Sequence, residues 1–250
     1  FARDPGKALV REHVERGGRA AVLDGSDLVH LDGRETWKLG AIGELPFLFG
    51  GAAAHNVSNA LGAIAVAFEL GLDAAGIRAG LARFASDPAD NPGRLNEFDL
   101  GGVRALCDFA HNPHGMKALV SMIRALPAKR RLVILGQAGD RDDESIRELV
   151  RLTVASAPER IVLKEMPEHL RGRAPGAVVE LIASELEQLD YPAERIERAA
   201  DEMDAVRKAL EWAQPGDLLL LLLHAQRKAV LERLERVRRA GWTPGKPLPL

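Results

Sequence analysis

A single cysteine in 250 residues excludes an internal disulfide, and its place inside an apolar run, at Cys107, points to a reducing compartment such as the cytoplasm. Long apolar runs are lacking too. The longest, Leu218 to Leu223, is far short of the roughly 18 residues that span a bilayer, and the N-terminus lacks a signal-peptide layout. Charge of one sign is also missing: 34 Lys and Arg against 36 Asp and Glu leave a net charge of -2. Such a balance gives no electrostatic footprint for nucleic acid or an anionic membrane surface. No GxGxxG follows any strand pattern, and there is no HExxH or cysteine cluster. Nor is there a GxxxxGK followed by Ser or Thr, since Gly245-Lys246-Pro247 has neither the upstream glycine nor the hydroxyl.

What is present suits a chain with a real core and more than one domain, at 46% hydrophobic content. Residues 7 to 16 have a weak helical period. Ala20 to Leu23, Leu28 to Leu31 and Thr36 to Leu39 read as a small antiparallel meander, divided by the turn dipeptides Asp24-Gly25 and Asp32-Gly33. His30 within it is expected to be a surface or half-buried strand residue. From Asn56 the residues Val57, Leu61, Ile64, Ala65 and Phe68 predict a helix capped by Gly71, and Asp73 can cap a second helix carrying Ile77, Leu81 and Phe84. Ser86 to Pro92 is a polar, proline-bearing linker, where a domain boundary is expected.

Beyond the linker, strands and helices alternate. Strands are predicted at Val103 to Cys107, Leu132 to Leu135, Ile161 to Leu163, around Arg195 to Glu197, and at Leu218 to Leu223. Helical patterns run near Met116 to Leu126, Asp143 to Ala155, Ala177 to Leu189, Met203 to Trp212 and Arg227 to Arg239. Repeated units of this length imply a mostly parallel, open α/β sheet with flanking helices.

Polar segments follow four of these strands: DFAHNPHG (108 to 115), GQAGDRDD (136 to 143), KEMPEHLRGR (164 to 173) and HAQR (224 to 227). Parallel strands put their C-terminal ends on one edge, so the four loops should converge into a binding face. Asp108, at a strand end, could accept hydrogen bonds from a ribose diol. His111, Arg141, Arg171 and Arg173 could donate to phosphate or carboxylate oxygens, so the ligand should be anionic. Asn112, His114, Asp140 and His224 lie in the same loops and join Arg141, Arg171 and Arg173 as candidate substrate-binding residues. His111 and Arg141 are the candidate catalytic side chains. His111 and His114 straddle Pro113, which argues against their ligating a metal together. In AAAHNVSNA, Asn59 can offer donor and acceptor to a flat heteroaromatic base, while His55 and Asn56 sit at a helix start that favours an anion.

Three segments in order carry a resemblance. HNVSNALGA (55 to 63) resembles the HNxxNxxAA segment of the Mur ligase family, NPGRLNEF (91 to 98) its PGR hinge, and DFAHNPHG its DYAHNPDG signature. The resemblance implies the tail of a Mur-type central ATPase domain over residues 1–91 (meander plus two helices), then a Rossmann-like C-terminal domain over 92–250. GDRDDESIREL (139 to 149) and KEMPEHLRGRAPGAV (164 to 178), with its LRGR, are most similar to the C-terminal ligase module of cyanophycin synthetases.

That resemblance implies an ATP-dependent, amide-forming ligase. A carboxylate is phosphorylated by ATP, and an amine, with arginine as one candidate, then attacks the acyl phosphate. Cations would offset charge on the transferring phosphoryl group while a hinge at Pro92 to Leu95 closes the domain. It implies Asn56 and Asn59 near the adenine, His55 among the nucleotide-binding residues, Arg94 on the nucleotide, Asp108 on the ribose and His111 facing the phosphates. The phosphate-cradling loop, its Lys and most Mg2+ ligands belong to a region before Phe1, so the chain is expected to be a fragment, inactive alone. A non-catalytic nucleotide- or polyamide-binding module is the alternative. The family's Lys-Gly-His-Glu segment is replaced by His224-Ala-Gln-Arg227, which leaves the amine open, and a homo-oligomer is compatible with all of this.

Overall fold

The computed structural model describes residues 1–33 and 35–249. Its contacts divide the chain into two compact units, Phe1–Ala85 and Ser86–Leu250. Ser86 goes with the second unit for a local reason: the side chain of Asn96, completely buried, donates to the carbonyls of Ser86 and Asn91 at 3.1 and 3.0 Å.

In the first unit, α1 (Ala8–Glu15) precedes an antiparallel sheet of β1 (Arg19–Asp24), β2 (Asp27–Asp32) and β3 (Glu35–Ala41). Gly25 takes φ +58° in the first turn, as the dipeptide requires. One sheet face (Ala20, Val22, Val29) packs with Val10 and Val14 of α1, which buries none of its residues fully. The other face meets α2 (Ala54–Glu69) and α3 (Ala74–Arg83) through Leu28, Leu39, Val57, Leu61, Ile64 and Ile77. Gly71, at φ +81°, closes α2: its N–H and that of Leu72 bond the carbonyls of Phe68 and Ala67. Asp73 caps α3 by accepting from the Gly76 N–H at 2.6 Å. The expectation for His30 is overturned. It is 1% exposed, because it faces α2 and stacks on Phe68 with ring centroids 3.7 Å apart.

The second unit is a six-stranded sheet of order β4-β5-β9-β6-β7-β8. These strands are β4 (Asn96–Asp99), β5 (Arg104–Asp108), β6 (Arg131–Leu135), β7 (Arg160–Lys164), β8 (Ile196–Ala199) and β9 (Leu218–Leu222). All pairings are parallel except β4 with β5. The edge strand β4 was not expected, since only Phe98 in its four residues is apolar. The helices are α4 (Pro113–Ala125), α5 (Asp143–Ala155), α6 (Ala177–Gln188), α7 (Glu202–Trp212) and α8 (Arg227–Arg239). Residues Ala105, Cys107, Leu132, Ile134, Leu219 and Leu221 face α7 and α8 in one core. Their alternate neighbours Leu106, Val133 and Leu220, also buried, face the opposite side, as the period of two requires. A core lined on both faces explains why β9 is leucine throughout.

Candidate functional site

Parallel pairing brings the ends of β5, β9, β6 and β7 to one edge, and with them the loops 108–115, 224–227, 136–143 and 164–173. Asp108 closes β5 with its carboxylate almost wholly buried. One oxygen accepts from the Ala110 N–H at 2.8 Å, the other from the Leu95 N–H at 3.0 Å. Its side chain thus ties the PGR turn to its own loop, and each oxygen keeps a second lone pair. Burial pushes its pKa above the ordinary carboxylate value, against the pull of those N–H groups and of Arg94. Asn96 holds the same turn from the other side, accepting from the Gly93 N–H at 2.5 Å. Gly93 (φ +73°) and Leu95 (φ +52°) both take left-handed backbone there.

The ring of Phe109 gathers the basic groups. The guanidinium carbons of Arg94 and Arg227 lie 5.2 and 5.5 Å from its centroid, and the His111 and His224 rings 5.1 and 5.3 Å. His111 Nδ1 is 3.1 Å from the Phe109 carbonyl and the ring is half-buried. Asn112 caps α4 through the Gly115 N–H at 2.8 Å, so its oxygen is already engaged, and His114 is exposed on the first turn of that helix.

At the end of β9, His224 is packed inward with Nε2 3.0 Å from the Ala110 carbonyl, while its buried Nδ1 meets no partner. Burial, seconded by the charge of Lys164, holds its pKa well below the ordinary histidine value. The segment that follows is shaped by a residue with no local signal. The carboxylate of Glu202, from the start of α7, accepts the N–H groups of His224, Ala225 and Gln226 at 2.7, 3.2 and 2.9 Å. It also pairs with Lys164, which in turn donates to the Leu222 carbonyl at 2.5 Å. Both side chains are 0% exposed, and burial lowers the Lys164 pKa while Glu202 opposes that shift.

The loops after β6 and β7 are joined by Arg173. Its guanidinium donates to the carbonyls of Gly139 and Arg141 at 2.8 and 2.5 Å and pairs with Asp143 at 2.7 Å. Arg173 is therefore occupied within the protein, whereas Arg141 itself is exposed and Arg171 is a surface side chain 3.9 Å from Asp140. A methyl group on Gly139 would stand 1.9 Å from the Leu170 carbonyl oxygen, so only glycine lets these loops touch.

In the first unit, Asn56 lies in the first turn of α2 and donates its amide N–H to the Phe47 carbonyl at 2.8 Å. It fastens the kinked segment 46–51, in which Phe49 and Gly50 have positive φ. Asn59, one turn on, is exposed. His55 is half-buried with an unpartnered Nδ1, and burial lowers its pKa. Among the described residues, no three His, Cys, Asp or Glu side chains come together to hold a metal ion, and no helix is long and apolar enough to cross a membrane.

An open, mostly parallel sheet with this glycine-bearing turn and polar C-terminal edge matches the family described as "Mur ligase, glutamate ligase domain" over residues 93–222. The chain belongs to the Mur ligase family. It is 34% identical to the cyanophycin synthetase of Trichormus variabilis over 230 residues, 92% of this chain and 25% of that protein. Against the UDP-N-acetylmuramoyl-L-alanyl-D-glutamate--2,6-diaminopimelate ligase of Corynebacterium efficiens the identity is 31% over 180 residues, 70% of this chain and 32% of that one. The chain thus spans about a quarter of the length of the cyanophycin synthetases it matches. In fold it is similar to E. coli FolC in complex with ADP, with a TM-score of 0.62 and 22% identity over 87% of this chain and 46% of that one.

Proposed function

We propose that this chain is the C-terminal part of an ATP-dependent ligase that joins an amino acid to a carboxylate, of the cyanophycin synthetase type. Residues 1–91 then end its central ATPase domain and 92–250 form its C-terminal domain, working in the cytoplasm. What supports this most is the meeting of Asp108, Arg94, His111 and the Arg141 loop at one sheet edge, in a chain 34% identical to a cyanophycin synthetase. ATP would supply the phosphoryl group that activates the carboxylate as an acyl phosphate.

The residues divide by whether they are free to act. Arg94 and Arg141 are exposed and His111 half-exposed, so they can meet phosphate or carboxylate oxygens, with His111 and Arg141 nearest to catalysis. Asp108 keeps its ribose role through its spare lone pairs. Arg173, Asn112 and His224 act through the backbone that they hold, and Arg171 and Asp140 are left to substrate. Asn59 is the free amide of the first unit, since Asn56 is committed to Phe47. No step is assigned to Mg2+, for which the described residues offer no cluster.

The test is an ATP-dependent product assay on the longer protein over candidate amines and acceptors. Phosphate release only with arginine and an aspartate-rich acceptor is expected. An upstream reading frame that is intact yet lacks a P-loop would sink the ligase reading in favour of a non-catalytic binding module.

A further inference from the structure

We infer that Arg227 is a second phosphate-binding guanidinium, paired with Arg94 across the Phe109 ring, and that the two together take an anionic phosphoryl group of a nucleotide. This rests on the nucleotide reading above and assigns a role to the His224-Ala-Gln-Arg227 segment, where the family's usual residues are missing.

Three observations converge on it. Both guanidinia ride one aromatic ring, at 5.2 and 5.5 Å, and neither makes a hydrogen bond or ion pair among the described residues. Each gains from the ring, but two like charges beside one ring also repel, and a counter-charge near them relieves that repulsion. Asp108, the carboxylate that feels the charge of Arg94, is buried and already committed to two backbone N–H groups.

Second, the Arg227 stem is held in place. A methyl group on Gly93 would lie 2.3 Å from Arg227 Cδ and 3.1 Å from Cγ, so the side chain runs directly over the bare backbone of the PGR turn. The turn that carries Arg94 is thereby built to admit the Arg227 stem. Third, Arg227 opens α8, whose cap residue Gln226 gives no side-chain cap. Its amide oxygen instead accepts from the Met203 N–H at 2.8 Å. Glu202 takes the Gln226 N–H, but the first-turn N–H groups of this 13-residue helix, which Arg227 opens, have no side-chain acceptor among the described residues, and this adds to the attraction for an anion.

The experiment titrates the 250-residue chain with ADP, tripolyphosphate and adenosine, in wild type, Arg227→Gln and Arg227→Lys, with circular dichroism and melting to show that each variant is folded. Arg227→Gln is expected to weaken both ADP and tripolyphosphate about tenfold or more, to leave adenosine unchanged and to flatten the salt dependence. Arg227→Lys should restore part of the loss. Unchanged affinity for both polyanions in folded Arg227→Gln overturns the inference while the nucleotide reading survives. No binding of either polyanion by wild type also overturns it. If tripolyphosphate binds through Arg227 but ADP binds no better, the anion site stands and the nucleotide reading falls.

Discussion

The two halves of the sheet edge are held together by opposite chemistry. On the β5–β9 side, buried acceptors gather backbone N–H groups: Asp108 takes two, Glu202 takes three and Asn96 takes one. On the β6–β7 side a partly exposed donor, Arg173, gathers two backbone carbonyls and a carboxylate. Water can stand in for an exposed guanidinium. It cannot replace a buried carboxylate, so the first half is the stiffer and the costlier to damage.

Substitutions at each side turn this into measurable differences. Glu202→Ala should have the largest effect, about 3–5 kcal/mol by denaturant unfolding, because it strands the buried Lys164 charge and three N–H groups. A double variant, Glu202→Leu with Lys164→Met, should recover much of that loss; equal damage in both would mean that the pair's charge is not what matters. Next comes Gly139→Ala, expected to cost about 1–3 kcal/mol, since the new methyl group must push the Leu170 carbonyl away. Arg173→Ala should cost about 1 kcal/mol and raise protease sensitivity within 136–143 and 164–173. If it proves as costly as Glu202→Ala, the contrast between the two halves fails.

The smallest effect at neutral pH is expected of His224→Gln, and it shows in pH dependence. The folded pKa lies below the ordinary 6.5, so as pH falls through that value the unfolded chain gains a proton that the folded one refuses. Stability is then present above about pH 6.5 and lost below it. The variant should flatten that loss between pH 7 and pH 5. His30 and His55, whose pKa values are also lowered by burial, leave a residual slope of the same sign.

What could be read beforehand was what is local. The predicted spans of α5 and α8 coincide with the observed ones; in the structure Asp142 caps the first, and Val230, Leu231, Leu234 and Val237 form the buried face of the second. The order of polar loops after parallel strands was likewise legible. What escaped was decided across the chain. β4 exists only because β5 pairs with it, and His30 is buried by a ring 38 residues away. The Lys164–Glu202 pair, also 38 residues apart, has no pattern that either partner announces. Of the site, Asp108 was visible as a residue at a strand's end. Its grip on the PGR turn was not, since that depends on the left-handed backbone at Leu95.

The place of β9 also governs how this unit can be made. The last strand to be synthesised lies between β5 and β6, pairing Leu218 with Arg104 on one side and Arg131 on the other. Until those leucines leave the ribosome, two earlier strands keep open, apolar edges in the nascent chain. Closure of the sheet therefore waits for β9, and is slow in the manner of long-range pairing. During that interval the unit is exposed to aggregation and depends on whatever shields nascent strands in the cell.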